Sequence, residues 1–349
     1  MMINLQKSLN NTTMKKCLFT LTALLMTLAG CAKKNAPCEE KVVVAYVTSW
    51  TRVMPDPDRV THINYAFGHV NDTFDGVRID NESRLKRIIA LKNESPSLNI
   101  CLSVGGWGSG RFSEMAADET LRKSFATDCA RAVKEFGLDG IDIDWEYPTS
   151  AAAGISASEA DKDNFTLLMR DLREAIGDDK FLTLATVCSA QYIDFPAIMP
   201  YVNFVNIMSY DMGWAPNHNA PLYRSEIAGG CTADEAVKAH LEAGVPACKL
   251  VMGMPLYGRG KRPYGDFVDY NEISGPKEGH AEVWDDVAKV PYYADEDGTL
   301  MLGFENVRSI TEKCNYIMEN GLRGGMYWEY AGDNEAGDLT KTIANIILK

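Results

Sequence analysis

Short apolar, β-branched runs recur along the chain, each followed by turn residues: Val42–Val47, His62–Phe67, Asn99–Val104, Gly140–Trp145, Phe181–Val187, Phe204–Ser209, Leu250–Pro255 and Gly325–Trp328. Between them, Leu121–Phe136, Asp163–Ile176 and Ala233–Ala243 place apolar residues at helical spacing. Strands that alternate with helices predict a parallel sheet, because parallel neighbours need long crossovers. Eight such units fit an α/β fold, a closed (β/α)8 TIM barrel. A doubly wound sheet is the structural alternative, but it normally has fewer strands and a phosphate-binding first turn that this sequence lacks.

Two gaps break the rhythm. Pro55 and Pro57 crowd the short link between the first two strands, so the first helix is expected to be short or absent. Residues 260–303, after the seventh strand, are rich in Gly, Pro, Tyr and acids and read as a small insert. Short strands are expected there around Tyr292–Tyr293 and Leu300–Phe304.

The N-terminus has a different pattern. Lys15 and Lys16 precede an apolar run from Leu18 to Leu28, and Leu28-Ala29-Gly30-Cys31 closes it. A basic start, a short apolar stretch and small residues make a secretory signal. Its end resembles the bacterial lipoprotein box, which implies cleavage before Cys31 and lipidation of that thiol. Residues 1–30 are then the signal peptide, 31–40 a polar tether and 41–349 the barrel. The chain would sit outside the cytoplasm, held to a bacterial outer membrane or cell surface by this lipid alone. No later stretch approaches 18 consecutive apolar residues.

Composition adds limits. The 349 residues carry 35 basic and 48 acidic side chains, a formal charge of −13, and loss of the signal's three lysines takes it to −16. Such a surface repels phosphate backbones, which argues against nucleic acid and leaves uncharged ligands open. Of nine cysteines, Cys17 and Cys31 fall in the signal and its box. The other seven have no paired spacing and read mostly as buried thiols, with room for one or two bridges. His62, His69, His218, His240 and His280 show no paired ligand spacing, so no metal site is expected. Gly105-Gly106-Trp107-Gly108-Ser109-Gly110 has the wrong spacing for a dinucleotide fingerprint.

The most informative segment is Leu138-Asp139-Gly140-Ile141-Asp142-Ile143-Asp144-Trp145-Glu146-Tyr147-Pro148. Side chains on a strand alternate, so Asp142, Asp144 and Glu146 share one face and Ile141, Ile143 and Trp145 the other. In a barrel the acids climb the interior toward the C-terminal rim, about 6.5–7 Å apart. Three carboxyls in one low-dielectric column cannot all ionise cheaply, so at least one should hold a proton near neutral pH. Glu146, nearest the mouth, is placed to be a general acid whose proton is held by the negative neighbours below. A solvated acidic edge strand is the other reading, and a filled barrel excludes it.

Asp139-x-x-Asp142-x-Asp144-x-Glu146 resembles the signature of the family 18 glycoside hydrolases, the chitinases and their relatives. Ser103-Val104-Gly105-Gly106-Trp107 is similar to that family's third-strand motif. Met208-Ser209-Tyr210-Asp211 resembles the sixth, Met252-Gly253-Met254-Pro255-Leu256-Tyr257-Gly258-Arg259 the seventh, and Trp328 the eighth. The resemblance implies hydrolysis of β-1,4 links at N-acetylglucosamine with retention, using the substrate's own acetamido group as nucleophile. It implies that Glu146 protonates the departing oxygen and that Asp144 orients the acetamido group. Asp142 would share a proton with Asp144, and Asp139 would be structural. Tyr210 would position the acetamido carbonyl, Asp211 would meet a sugar hydroxyl or the tyrosine network, and Trp328 would floor the sugar site. Trp107, Tyr46, Phe67, Tyr147, Met208, Tyr257 and Arg259 match other cleft positions. No cofactor is implied, and the partner is an oligo- or polysaccharide containing N-acetylglucosamine, met by a monomer. Three functions stay open: a chitinase, an endo-β-N-acetylglucosaminidase cutting N-glycan cores, and, ranked last because Glu146 is present, a silent lectin. The short insert implies a shallower cleft and endo action or action on short oligomers.

Overall fold

The computed structural model describes residues 40–349; the expected signal peptide, Cys31 and all of the tether but its last residue lie outside them. The strands are β1 (Val42–Thr48), β2 (His62–Val70), β3 (Val77–Ile79), β4 (Asn99–Gly105), β5 (Gly140–Asp144), β6 (Phe181–Val187), β7 (Phe204–Met208) and β8 (Leu250–Pro255). They continue as β9 (Tyr257–Gly260), β10 (Val268–Asp269), β11 (Ala281–Asp285), β12 (Val290–Ala294), β13 (Leu300–Gly303) and β14 (Gly324–Trp328). Strands β14, β8, β7, β6, β5, β4 and β2 follow β1 in order, and β2 pairs back onto β1. Every pairing in this ring is parallel. The sheet is therefore a closed (β/α)8 barrel, and the doubly wound alternative falls.

The helices are α1 (Glu82–Ile89), α2 (Phe112–Ala117), α3 (Glu119–Phe136), α4 (Asp161–Ile176), α5 (Phe195–Ile198), α6 (Ala233–Glu242), α7 (Val307–Glu319) and α8 (Asp338–Ile347). Only a single 3-10 turn, Pro57–Arg59, links β1 to β2, as the prolines suggested. Local chemistry sets the ends of α3: Asp118 accepts from the N–H groups of Thr120 and Leu121, and Gly137 leaves the helix at φ 67°. Among the described residues no helix is long and apolar enough to cross a membrane.

Strand alternation splits the core in two. Val43, Ala45 and Val47 pack outward with Ile141, Ile143 and Trp145 against the helices. Val42, Val44 and Tyr46 pack inward with Phe204, Val251 and Met326. His62 stands edge-on to Phe181 and Phe204 at the base, and burial lowers its pKa to about 4, so it plugs the barrel as a neutral ring. Stripping apolar surface from water drives both layers.

Two features lie outside the repeating pattern. β3 pairs antiparallel with the end of β2, a hairpin the sequence pattern does not predict. The insert forms a second, antiparallel sheet in the order β10-β9-β13-β12-β11. It contains the expected strands, but it begins at Tyr257 rather than 260, with only Leu256 between it and the end of β8. Six described cysteines are free thiols, and Cys101, Cys129 and Cys314 among them are buried.

Candidate active site

β5 ends at Asp144, but the chain keeps its alternation for two more residues, so Asp142, Asp144 and Glu146 all lie buried inside the barrel. At the foot of the column Asp142 is fully enclosed. Its Oδ2 accepts from Tyr46 Oη and Ser103 Oγ, each at 2.8 Å. Its Oδ1 accepts from Thr183 Oγ1 at 2.6 Å and Asn206 Nδ2 at 3.3 Å. Four strands thus supply four donors, which fills the lone pairs of an ionised carboxylate. Burial pushes the Asp142 pKa up, and these four hydrogen bonds pull it back. Both Asp142 oxygens are thus engaged by side chains of neighbouring strands, which fix the carboxyl below the cavity.

Asp144 is treated differently. Its Oδ1 is buried and has no hydrogen-bond partner. Burial, then the charges of Glu146 and Asp142, hold its carboxyl well above the usual range. Glu146 is pushed up to about 7, by burial first and by Asp211, against a lowering hydrogen bond from Tyr147. The proton expected on Glu146 is therefore favoured mainly by desolvation, not by the carboxylates below. Asp144 and Glu146 interact strongly and hold at least one proton as a pair near neutral pH.

Backbone fit explains the neighbouring glycines. Gly105 has φ 132°, and a Cβ there would meet the Asp144 carbonyl oxygen at 2.0 Å. Gly106 donates its N–H to that oxygen at 2.9 Å, and a Cβ on it would strike the Phe67 ring at 2.7 Å.

Above the column opens a cavity of about 650 Å³. Tyr46, Phe67, Trp107, Asp144, Glu146, Tyr147, Met208, Tyr210, Asp211, Tyr257, Arg259 and Trp328 all line it, and Asp142 lies beneath. The Trp328 ring lies 5.7 Å from Phe67, nearly parallel, and 5.7 Å from Tyr46. Burial and the charges of Asp144 and Glu146 raise the Tyr210 phenol well above its ordinary value, so it stays a donor. Asp211 is pinned from the insert: Tyr257 Oη donates to it at 2.8 Å, and Arg259 Nε and Nη2 grip both oxygens at 2.8 Å. The tyrosine that holds Asp211 is thus Tyr257. At the other end of the strand, Asp139 accepts from Lys92 Nζ and the Ile100 N–H, a structural tie. Among the described residues no group of three His, Cys, Asp or Glu could hold a metal ion.

Residues 42–333 match the model of the glycosyl hydrolases family 18. The chain belongs to this family. Chitinase A1 of Niallia circulans is 33% identical over 88% of this chain, which spans only about half of that protein (49%). Chitotriosidase-1 of Mus musculus is 31% identical, with 90% of this chain and 76% of the relative covered. A solved family 18 N-acetylglucosaminidase from Paenibacillus barengoltzii superposes with a TM-score of 0.79 at 34% identity, covering 88% of this chain and 99% of that one. A Group IV chitinase of Ostrinia furnacalis in complex with allosamidin gives 0.79 at 30% identity, covering 88% and 98%. The barrel is a family 18, chitinase-like glycoside hydrolase.

Sequence reasoning missed several residues of this family 18 cleft. Trp50, Trp214 and Cys188 line it from loops that leave the C-terminal ends of β1, β7 and β6. The rule that barrel sites gather on those loops was a usable signal for them. Asp266 and Phe267 come from the insert, whose fold over the barrel mouth no local pattern announces.

Proposed function

We propose that this family 18 chain hydrolyses β-1,4 links at N-acetylglucosamine in chitooligosaccharides, with retention, through an oxazolinium intermediate. One observation carries the reading: a protonated carboxyl pair in which a buried Asp144 oxygen lacks a donor, set in an aromatic-walled cavity. An acetamido N–H supplies the missing donor. Bound there, its carbonyl oxygen is turned toward the anomeric carbon, and the Asp144 charge stabilises the cation as the ring closes. Glu146 gives its proton to the departing oxygen and then takes one from the incoming water. Tyr210 donates to the acetamido carbonyl. Asp142 is no nucleophile, because its four hydrogen bonds fix it below the cavity.

Trp328 gives the sugar a flat indole on which to stack, and Trp50, Trp107 and Trp214 offer further apolar faces along the walls. The likeness to a protein described as an N-acetylglucosaminidase favours short products over long ones. Proton NMR of fresh chitotetraose digests tests the reading. Retention puts the new reducing end first in the β anomer, and the fully de-N-acetylated oligomer stays intact. An initial α anomer, or cleavage of that oligomer, overturns substrate assistance. A high-mannose glycoprotein run alongside tests the N-glycan alternative, since release of its glycan in preference to chitotetraose cleavage would favour that substrate.

A further inference from the structure

Behind two walls of the cleft runs one turn that the repeating barrel pattern does not contain. The β2–β3 hairpin ends at Asp80 and Asn81 before entering α1, and Tyr65 Oη lies 2.9 Å from both of their carbonyl oxygens. Toward one wall, Asn81 Nδ2 donates to the Ser49 carbonyl at 2.8 Å. Arg84, only 1% exposed, donates Nε to the Thr48 carbonyl at 2.8 Å, and Nη2 to Thr51 Oγ1 at 3.1 Å and the Val53 carbonyl at 2.8 Å. Those bonds hold the loop that carries Trp50, a residue 64% exposed whose ring lies 6.4 Å from both Phe67 and Trp328.

Toward the other wall, Asp80 Oδ2 lies 3.0 Å from His69 Nε2, and His69 Nδ1 lies 2.8 Å from Ser109 Oγ. The Ser109 N–H bonds the Gly106 carbonyl, so this contact pins the short loop bearing Trp107, also 64% exposed. An indole standing in water on a loose loop must be ordered when a sugar stacks on it, and that ordering offsets the stacking energy. Fixing the loops beforehand removes this loss. Burying a guanidinium is weak evidence for stability in itself, which leaves loop order as the better reason for Arg84.

We propose that the Asp80–Arg84 turn is a specificity brace. Arg84 and Asn81 are positioning residues for Trp50, and Asp80 acts through His69 and Ser109 on Trp107. Both indoles are thereby preset for sugar rings bound away from the bond that breaks. The inference rests on the proposed N-acetylglucosamine substrate.

Kinetics on chitohexaose and on the 4-methylumbelliferyl glycoside of diacetylchitobiose test it. Asn81→Asp keeps the oxygen that caps α1 through the Arg84 N–H and replaces the donor to Ser49 by a carboxylate oxygen that the Ser49 carbonyl repels. It should raise KM for chitohexaose about fivefold while kcat stays within about twofold, and raise KM less for the aryl chitobioside. In a Trp50→Ala background the substitution should add nothing, because its effect runs through that ring. Arg84→Met should act more strongly in the same sense, and Asn81→Asp still decides the matter if Arg84→Met does not fold. Ser109→Ala should raise KM about threefold and combine additively with Asn81→Asp, since the walls are separate. Equal losses on both substrates, a fall in kcat alone, unaltered KM, or additivity with Trp50→Ala would each overturn the brace. A wild type that cleaves neither substrate would instead overturn the functional reading, and this inference with it.

Discussion

The lower and upper parts of the acidic column follow opposite rules. Asp142 at the foot receives four hydrogen bonds from Tyr46, Ser103, Thr183 and Asn206, so both of its oxygens are held by a closed set of partners. Asp144, one strand repeat higher, is equally buried and keeps an oxygen with no donor. Unsatisfied buried polar atoms cost stability and are rare in folded proteins. Under the proposed function this contrast marks the ligand site: the fold supplies the donors of the lower carboxylate, and the substrate's acetamido N–H would supply that of the upper one.

Substitutions can break that contrast. The largest effect is expected from Glu146→Gln, which removes the transferable proton and should lower kcat by about 10³–10⁴-fold. Oligosaccharide binding by calorimetry should persist. Asp142→Ala should act chiefly on stability, with a loss of about 3 kcal/mol in chemical denaturation, because four donors are left facing a void. Asp144→Asn should do the reverse, abolishing most turnover while leaving the melting temperature nearly unchanged, since its buried Oδ1 makes no hydrogen bond that the substitution would break.

The pH dependence sharpens the same comparison. Glu146 is raised from 4.5 to about 7. It therefore keeps its proton in the folded chain where the unfolded chain has released it, and stability is lost as pH climbs from about 4.5 to about 7. The alkaline limb of kcat/KM should fall near pH 7 for the same reason. Asp211→Asn gives the smallest effect: without that negative neighbour Glu146 ionises more readily, so the limb should move to lower pH.

Much of this was legible in the sequence, because barrel strands announce themselves through apolar runs and the acids through their two-residue spacing. The partners of Asp142 left a fainter trace. Ser103 and Asn206 are lone polar residues within apolar runs, at inward positions, and only knowledge of neighbouring strands shows that they converge. The insert was harder. Tyr257 and Arg259 resembled cleft residues, yet their grip on Asp211 depends on β9 leaving β8 after one residue, a tertiary choice without local periodicity. The hairpin that braces Trp50 and Trp107 was invisible for the same reason.

Where the column keeps its proton can be measured directly. Difference infrared spectroscopy across a pH titration reads the carbonyl stretch of a protonated carboxyl. A band that titrates near pH 7, is altered by both Glu146→Gln and Asp144→Asn and persists in Asp142→Asn is the predicted result. A band that survives Glu146→Gln and is lost with Asp142→Asn would place the proton at the foot of the barrel and contradict the account.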